Sequence, residues 1–203
     1  WMRKDVTAIR RALDETGLNL AAIVAEPMVW LTDPENHEAF LMGLAQSAAT
    51  ARQLGAPVMI AQAGNHREGV SRNEQHQAIV ACLTRAADML EGTGVTLALE
   101  PLNDRVDHPG YFLTSTKEGL DIIDEVNRPE VRLLYDLYHS FVMDEDIAEV
   151  LEGRVDRIVH AHLADHPGRN EPGTGKMDWQ AWVAWLQDNG YDGLIGLEYR
   201  PTG

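Results

Sequence analysis

RIVHAHLADHPGRNEPGTG, residues 157–175, starts as an apolar run, closes on histidine and aspartate, and breaks into a segment holding two prolines and three glycines. A short apolar run with no polar alternation reads as a strand buried on both faces. The proline and glycine segment reads as a shaped loop. The polar residues therefore stand where a strand hands over to a loop. The same pattern recurs in both directions, in LAAIVAE (20–26), APVMIAQAG (56–64), VTLALEPLN (95–103), VRLLYDLYH (131–139) and GLIGLEYRP (193–201). Amphipathic stretches separate these runs. WMRKDVTAIRRALDETGLN (1–19) reads as an opening helix, and SRNE (71–74) and STKE (115–118) each place a hydroxyl three residues before a glutamate, the capping-box signature of a helix start. DNGYDG (188–193) supplies a glycine at a helix end.

Strands alternating with helices, without a linker or low-complexity tract, predict a single α/β domain over 1–203 built on a parallel sheet. Two architectures fit six strands. One is an open doubly wound sheet; the other is a (β/α)8 TIM-type barrel, which takes about 250 residues and would here lack its first two β/α units. On the second reading the chain is N-terminally incomplete, as its start inside a helix also implies.

The polar residues favour the barrel. Glu100, Asp136, His162 and Glu198 each close an apolar run, at separations of 36, 26 and 36 residues. Each step is about one strand–helix unit, so four consecutive strands deliver one ligand atom each to the C-terminal rim, where parallel α/β folds build their sites. Three carboxylates and one imidazole suit a hard or borderline divalent ion such as Mg, Mn or Co.

Taken singly, each acid reads as a helix cap or a solvated loop residue. Together they do not, because burying three carboxylates beside apolar runs is costly without a cation or hydrogen-bond partners. His139 is read either as a polar cap on its strand or as a contact to a substrate hydroxyl. Of His160 and His162, the reading sends the rings to opposite faces, takes His162 as the ligand because it is nearer the strand end, and leaves His160 to the core. Arg169 and Glu171 are surface charges, or, for Arg169, a grip on an anionic or hydroxyl-rich substrate. Asp165 and His166 cap the turn. Trp179, Trp182 and Trp185 lie on one side of a helix and are read as packing onto the barrel, with a dimer contact as the alternative.

A formal net charge of -15 sets the protein against phosphate backbones and anionic lipid surfaces, so nucleic acid and membrane are not expected partners. No apolar run approaches the roughly 20 residues of a membrane span. The single cysteine, Cys82, rules out an internal disulfide framework. A cytoplasmic enzyme is the expectation.

The stretches LALEPLN (97–103), DHPGYFL (107–113), LLYDLYH (133–139), HPGRNEPGTG (166–175) and NGYDGLIGLEYRP (189–201) together resemble the sugar isomerases and epimerases of the xylose isomerase-like barrels, the hydroxypyruvate isomerases in particular. The resemblance implies a divalent metal held by Glu100, Asp136, His162 and Glu198, proton transfer by Glu100 and Glu198, and substrate contacts from His139 and Arg169. It further implies an oxo-acid or sugar substrate and a homo-oligomer, dimer or tetramer. His162 departs from the glutamine of the best-known hydroxypyruvate isomerases and is similar to the ketose 3-epimerases, which makes epimerisation the alternative chemistry. Abasic-site endonucleases share the barrel, but that reading expects more histidine ligands and a basic groove. A non-catalytic sugar-binding barrel would not need the proton-transfer pair.

Overall fold

The computed structural model describes residues 1–203. Six strands, β1 (Ala22–Val24), β2 (Val58–Gln62), β3 (Thr96–Glu100), β4 (Val131–Asp136), β5 (Ile158–Leu163) and β6 (Ile195–Leu197), pair in parallel in the order in which they occur in the chain. A doubly wound sheet reverses its strand order at a switch point. This one never does, so it is singly wound and curls as a half-barrel. The helices are α1 (Val6–Thr16), α2 (His37–Leu54), α3 (Arg72–Leu90), α4 (Thr116–Val126), α5 (Leu137–Val142), α6 (Ile147–Leu151) and α7 (Trp179–Asp188).

The strand residues divide by face. Met59, Leu97, Leu99, Leu133 and Leu163 pack outward against Leu44, Ile79, Leu83, Leu120 and Ile123 of the helices. Each such buried side chain contributes roughly 1.5–3 kcal/mol. Val58, Ile60, Ala98 and Leu134, joined by Ala22 and Val159, form a small apolar floor on the opposite, inner face. Side chains alternate along a strand, so Gln62, Glu100 and Asp136 lie two residues beyond Ile60, Ala98 and Leu134 on that same inner face.

Helix boundaries follow the caps. Asp5 accepts a hydrogen bond from the Ala8 N–H and starts α1 five residues into the predicted helix; Gly17, at φ 67°, ends it. Ser71 and Glu74 form a complete capping box on α3. At α4 the box is only half made: Ser115 caps the Glu118 N–H, while the Glu118 carboxylate pairs with Arg72 and His76 across the helix layer. VRLLYDLYH is not strand throughout, because the chain turns at Asp136 and residues 137–142 are helical. Trp179, Trp182 and Trp185 are partly buried against the main core.

The loop after β5 is organised by Asp165. This residue is fully buried, and its carboxylate accepts hydrogen bonds from the backbone N–H groups of His166 (2.8 Å), Gly173 (2.7 Å) and Met177 (3.1 Å). Burial raises its pKa, but the backbone donors outweigh burial and hold it below the usual aspartate range. Gly175 lies so close that a Cβ there would collide with Asp165 Oδ1 and the His166 carbonyl. Asp165→Ala orphans these donors and is expected to cost roughly 2–4 kcal/mol. Urea unfolding checks the loss of stability, and limited proteolysis should cut first within 166–177.

Candidate functional site

Glu100, Asp136, His162 and Glu198 converge: one ligand atom from each lies within 4.8 Å of every other. Strand register explains the convergence. Asp136 stands beside His162, which stands beside Gly196 of β6. The Glu198 N–H donates to the Leu163 carbonyl (3.1 Å), which carries the pairing one residue past β6.

A bulge aims β5. Leu133 faces Ile158 but Leu134 faces His160, so Val159 is an extra residue in the ladder. This shift places His160 and His162 level with Leu134 and Asp136 on the inner face, and bulges re-aim side chains beside sites in this way. The opposite-face expectation for His160 is thereby corrected: residues two apart in a strand share a face. The two rings meet edge to face at 5.0 Å. Gly196 makes room for both, since a Cβ there would lie 3.0 Å from His162 Cδ2 and 3.2 Å from His160 Nε2. His160 is buried and backs the His162 ring from below the rim.

Asp136 does two jobs. Its Oδ1 accepts from the Tyr138 (2.8 Å) and His139 (3.2 Å) N–H groups and caps α5. Its Oδ2 faces the cluster, 4.0 Å from His162 Nδ1. The helix-cap reading and the ligand reading are therefore both satisfied by one side chain. His139 sits in the first turn of α5 rather than on the strand. Its Nδ1 accepts the Asn103 backbone N–H (3.1 Å), which places the ring proton on Nε2. That Nε2 is buried, has no hydrogen-bond partner, and lies 3.7 Å from Asp136 Oδ2. Burial pushes the His139 pKa down to about 4, so the ring is a neutral donor at neutral pH.

The electrostatics of the cluster are those of a cation site. His162 Nδ1 is buried without a hydrogen-bond partner, faced by Glu198 (3.4 Å), Glu100 (3.5 Å) and Asp136. Burial raises the Glu100 pKa and lifts that of Asp136 to about 6. For His162, burial works against the charged ring, but the surrounding Glu100, Glu198 and Asp136 outweigh it and hold the pKa up at about 10. Without a metal, a protonated His162 supplies the positive charge that three converging carboxylates require. An orphaned ring nitrogen among three carboxylates fits a divalent ion, which could be held by these four residues.

Arg169 arrives from the loop after β5, at φ 54°. It donates to Glu198 Oε2 (2.6 Å), lies 3.9 Å from both Asp136 and Asp107, and stacks over the Tyr138 ring at 5.2 Å. The ring of His162 beside Glu198, opposed by burial and aided by Arg169, draws the Glu198 pKa down to about 2. Glu171 lies away from the cluster and ties the chain end through Thr202. Three contributors escaped the residue reading. Asp107 accepts from Asn103 Nδ2 (2.8 Å) and the Tyr138 hydroxyl (2.8 Å), so Asn103, Asp107 and Tyr138 brace His139 and Arg169 together. The available signal was position, since Asn103 and Asp107 lie on the loop that follows Glu100 and Tyr138 lies between Asp136 and His139.

Known proteins resemble this chain in sequence and fold. A family model described as Xylose isomerase-like TIM barrel matches residues 1–203. The hydroxypyruvate isomerase of Escherichia coli (strain K12) is 33% identical over 168 residues, covering 83% of this chain and 65% of that protein. The chain thus spans just under two thirds of that relative. The 2-oxo-tetronate isomerase of Cupriavidus necator is 30% identical over 200 residues, covering 95% of this chain and 76% of that protein. Among solved structures, an AP endonuclease, family 2, from Brucella melitensis superposes with a TM-score of 0.92 at 29% identity, covering 100% of this chain and 80% of that one. With six sequentially ordered parallel strands and a match along its whole length, the chain belongs to the xylose isomerase-like TIM barrel family.

Proposed function

We propose that this chain carries the active site of a metal-dependent isomerase that converts hydroxypyruvate to tartronate semialdehyde, or acts on a similar small oxo-acid, through an enediolate. The observation that carries the reading is the convergence of Glu100, Asp136, His162 and Glu198 around an orphaned ring nitrogen. Isomerase relatives at 33% and 30% identity support it. Three carboxylates and one imidazole suit Mg, Mn or Co. When bound, such an ion supplies Lewis acidity to the adjacent carbonyl and hydroxyl oxygens of the substrate.

The chain's own residues do the rest. One of Glu100 and Glu198 removes a proton from the hydroxymethyl carbon, and the other returns a proton to the neighbouring carbon as the carbonyl moves outward. The Nε2–H of His139, aimed into the site without a partner, donates to a substrate oxygen. Arg169 holds Glu198 in place and contributes positive charge beside the substrate. The name of the Brucella neighbour points elsewhere, to DNA repair. A net charge of -15 opposes that chemistry on this chain, because phosphate backbones are bound through positive charge.

Two outcomes are expected. Proton NMR in deuterated water should show deuterium entering the hydroxymethyl carbon of hydroxypyruvate, dependent on added manganese or magnesium and abolished by chelation. Glu198→Gln should slow that exchange by about 10³-fold. Normal exchange in the variant contradicts the mechanism, and uptake only at carbon three of a ketose identifies an epimerase instead. Metal binding must also displace the His162 proton. Apparent affinity for manganese should therefore rise about tenfold per pH unit between pH 6.5 and 8.5, with proton release visible by calorimetry in buffers of different ionisation enthalpy.

A further inference from the structure

The outward faces of α1 and α4 are charged, with Arg11, Asp14 and Glu15 exposed on one and Lys117, Asp121, Asp124 and Glu125 on the other. The long helix α2 differs. Its only exposed charges are Glu38 in the first turn and Arg52 in the last. Between them the exposed residues are Ala39, Met42, Ala45, Gln46 and Ala49. Met42 is 77% exposed, more than any other large apolar side chain of the chain. A solvated helix face is ordinarily polar and charged, whereas loss of charge and gain of methionine mark the centre of an interface.

A groove runs beside this face. Two cavities, of about 390 Å³ and about 180 Å³, lie between α2 and α3 and meet at Ala45 and Met89. Leu41, Ala48 and Leu90 are buried beneath them. The charges along the groove are Glu38 and Asp88 against Arg52 and Arg85, which cancel on a chain of net charge -15. Two copies of so acidic a chain repel each other, and a face of zero net charge is where that repulsion is least.

The stripe also matches itself. Glu38, Met42, Ala45, Ala49 and Arg52 follow one another at steps of four and three, so they line one side of the helix. Turning a second α2 antiparallel about a two-fold axis at Ala45 sets Glu38 opposite Arg52 and Met42 beside Ala49. A parallel pair would instead set Glu38 against Glu38 and Arg52 against Arg52. The small side chain of Ala45 lets the helices cross at the close end of the usual separation of about 8–10 Å. Each groove then faces its counterpart, with the flexible side chains of Met42 and Met89 free to fill the space. The charged ends are available for this pairing. Arg52 is exposed and makes no ion pair within the chain, and the exposed Arg85 contact to Glu38 (2.7 Å) uses only its Oε1.

We propose that the partner of this face is a second copy of the chain, docked through α2 against α2 in antiparallel about an axis at Ala45. The Trp179, Trp182 and Trp185 side of α7 is spent on the core, so the contact between copies is assigned to α2 and not to the tryptophans.

Sedimentation equilibrium tests this without reference to activity. The chain is expected to reach twice its own mass at micromolar concentration. Ala45→Glu sets two carboxylates together at the axis and should weaken self-association by at least about 100-fold. Charge reversal reads the register: Glu38→Arg should weaken association about tenfold, and adding Arg52→Glu should restore it to within about threefold. Within one helix these two positions lie about 21 Å apart, so rescue of one by the other can only act between chains. All three positions are exposed, and circular dichroism checks that each variant keeps its helices. A chain that stays monomeric up to about 100 μM overturns the proposal. So does a dimer that Ala45→Glu leaves intact, or a charge reversal that the second substitution does not rescue.

Discussion

Three carboxylates and one imidazole brought to a single point on the rim are the constraint around which the rest of the molecule is arranged. Carboxylates do not collect in a buried place unless positive charge collects with them. Here the charge comes from a proton on His162 and from the Arg169 guanidinium, and a divalent cation would replace the first of these. The neighbouring histidines behave differently. His139 and His160 are held neutral by burial, so charge stays confined to the point where the carboxylates meet.

Much of the fold serves to hold that point still. The singly wound order brings successive strand ends to one rim, and the extra Val159 turns β5 so that its histidines face the same side as Glu100 and Asp136. Glycine at 196 leaves space for their rings, and glycine at 175 lets Asp165 gather the loop that carries Arg169. A methyl group would collide with Asp165 at the second of these places and crowd both histidine rings at the first. Asp136 shows the same economy, with one oxygen capping a helix and the other facing the site.

The architecture was legible because strand ends repeat. Apolar runs spaced by one strand–helix unit, each closing on a ligand-type residue, carry fold and cluster in a single pattern, and Glu100, Asp136, His162 and Glu198 fall together in space as that spacing implies. What escaped depends on geometry that spacing does not encode. A bulge of one residue leaves no mark in the composition of RIVHAHLAD, and the strand-to-helix turn at Asp136 is hidden because LYHSFV is apolar enough to continue a strand. The bracing joins Tyr138 to Asp107, 31 residues apart, through its hydroxyl, and Asn103 to His139, 36 apart, through a backbone N–H. Arg169 was expected to face substrate, and its strongest partner proves to be Glu198.

A divalent ion held by those four residues would have a single nitrogen ligand. Pulsed EPR of the protein titrated with Mn(II) tests this directly. The expected spectrum shows one tightly bound ion per chain coupled to one imidazole nitrogen, with the nitrogen coupling lost in His162→Ala. A manganese ion coordinated by water alone, one coupled to two imidazoles, or a coupling that survives the substitution would contradict it.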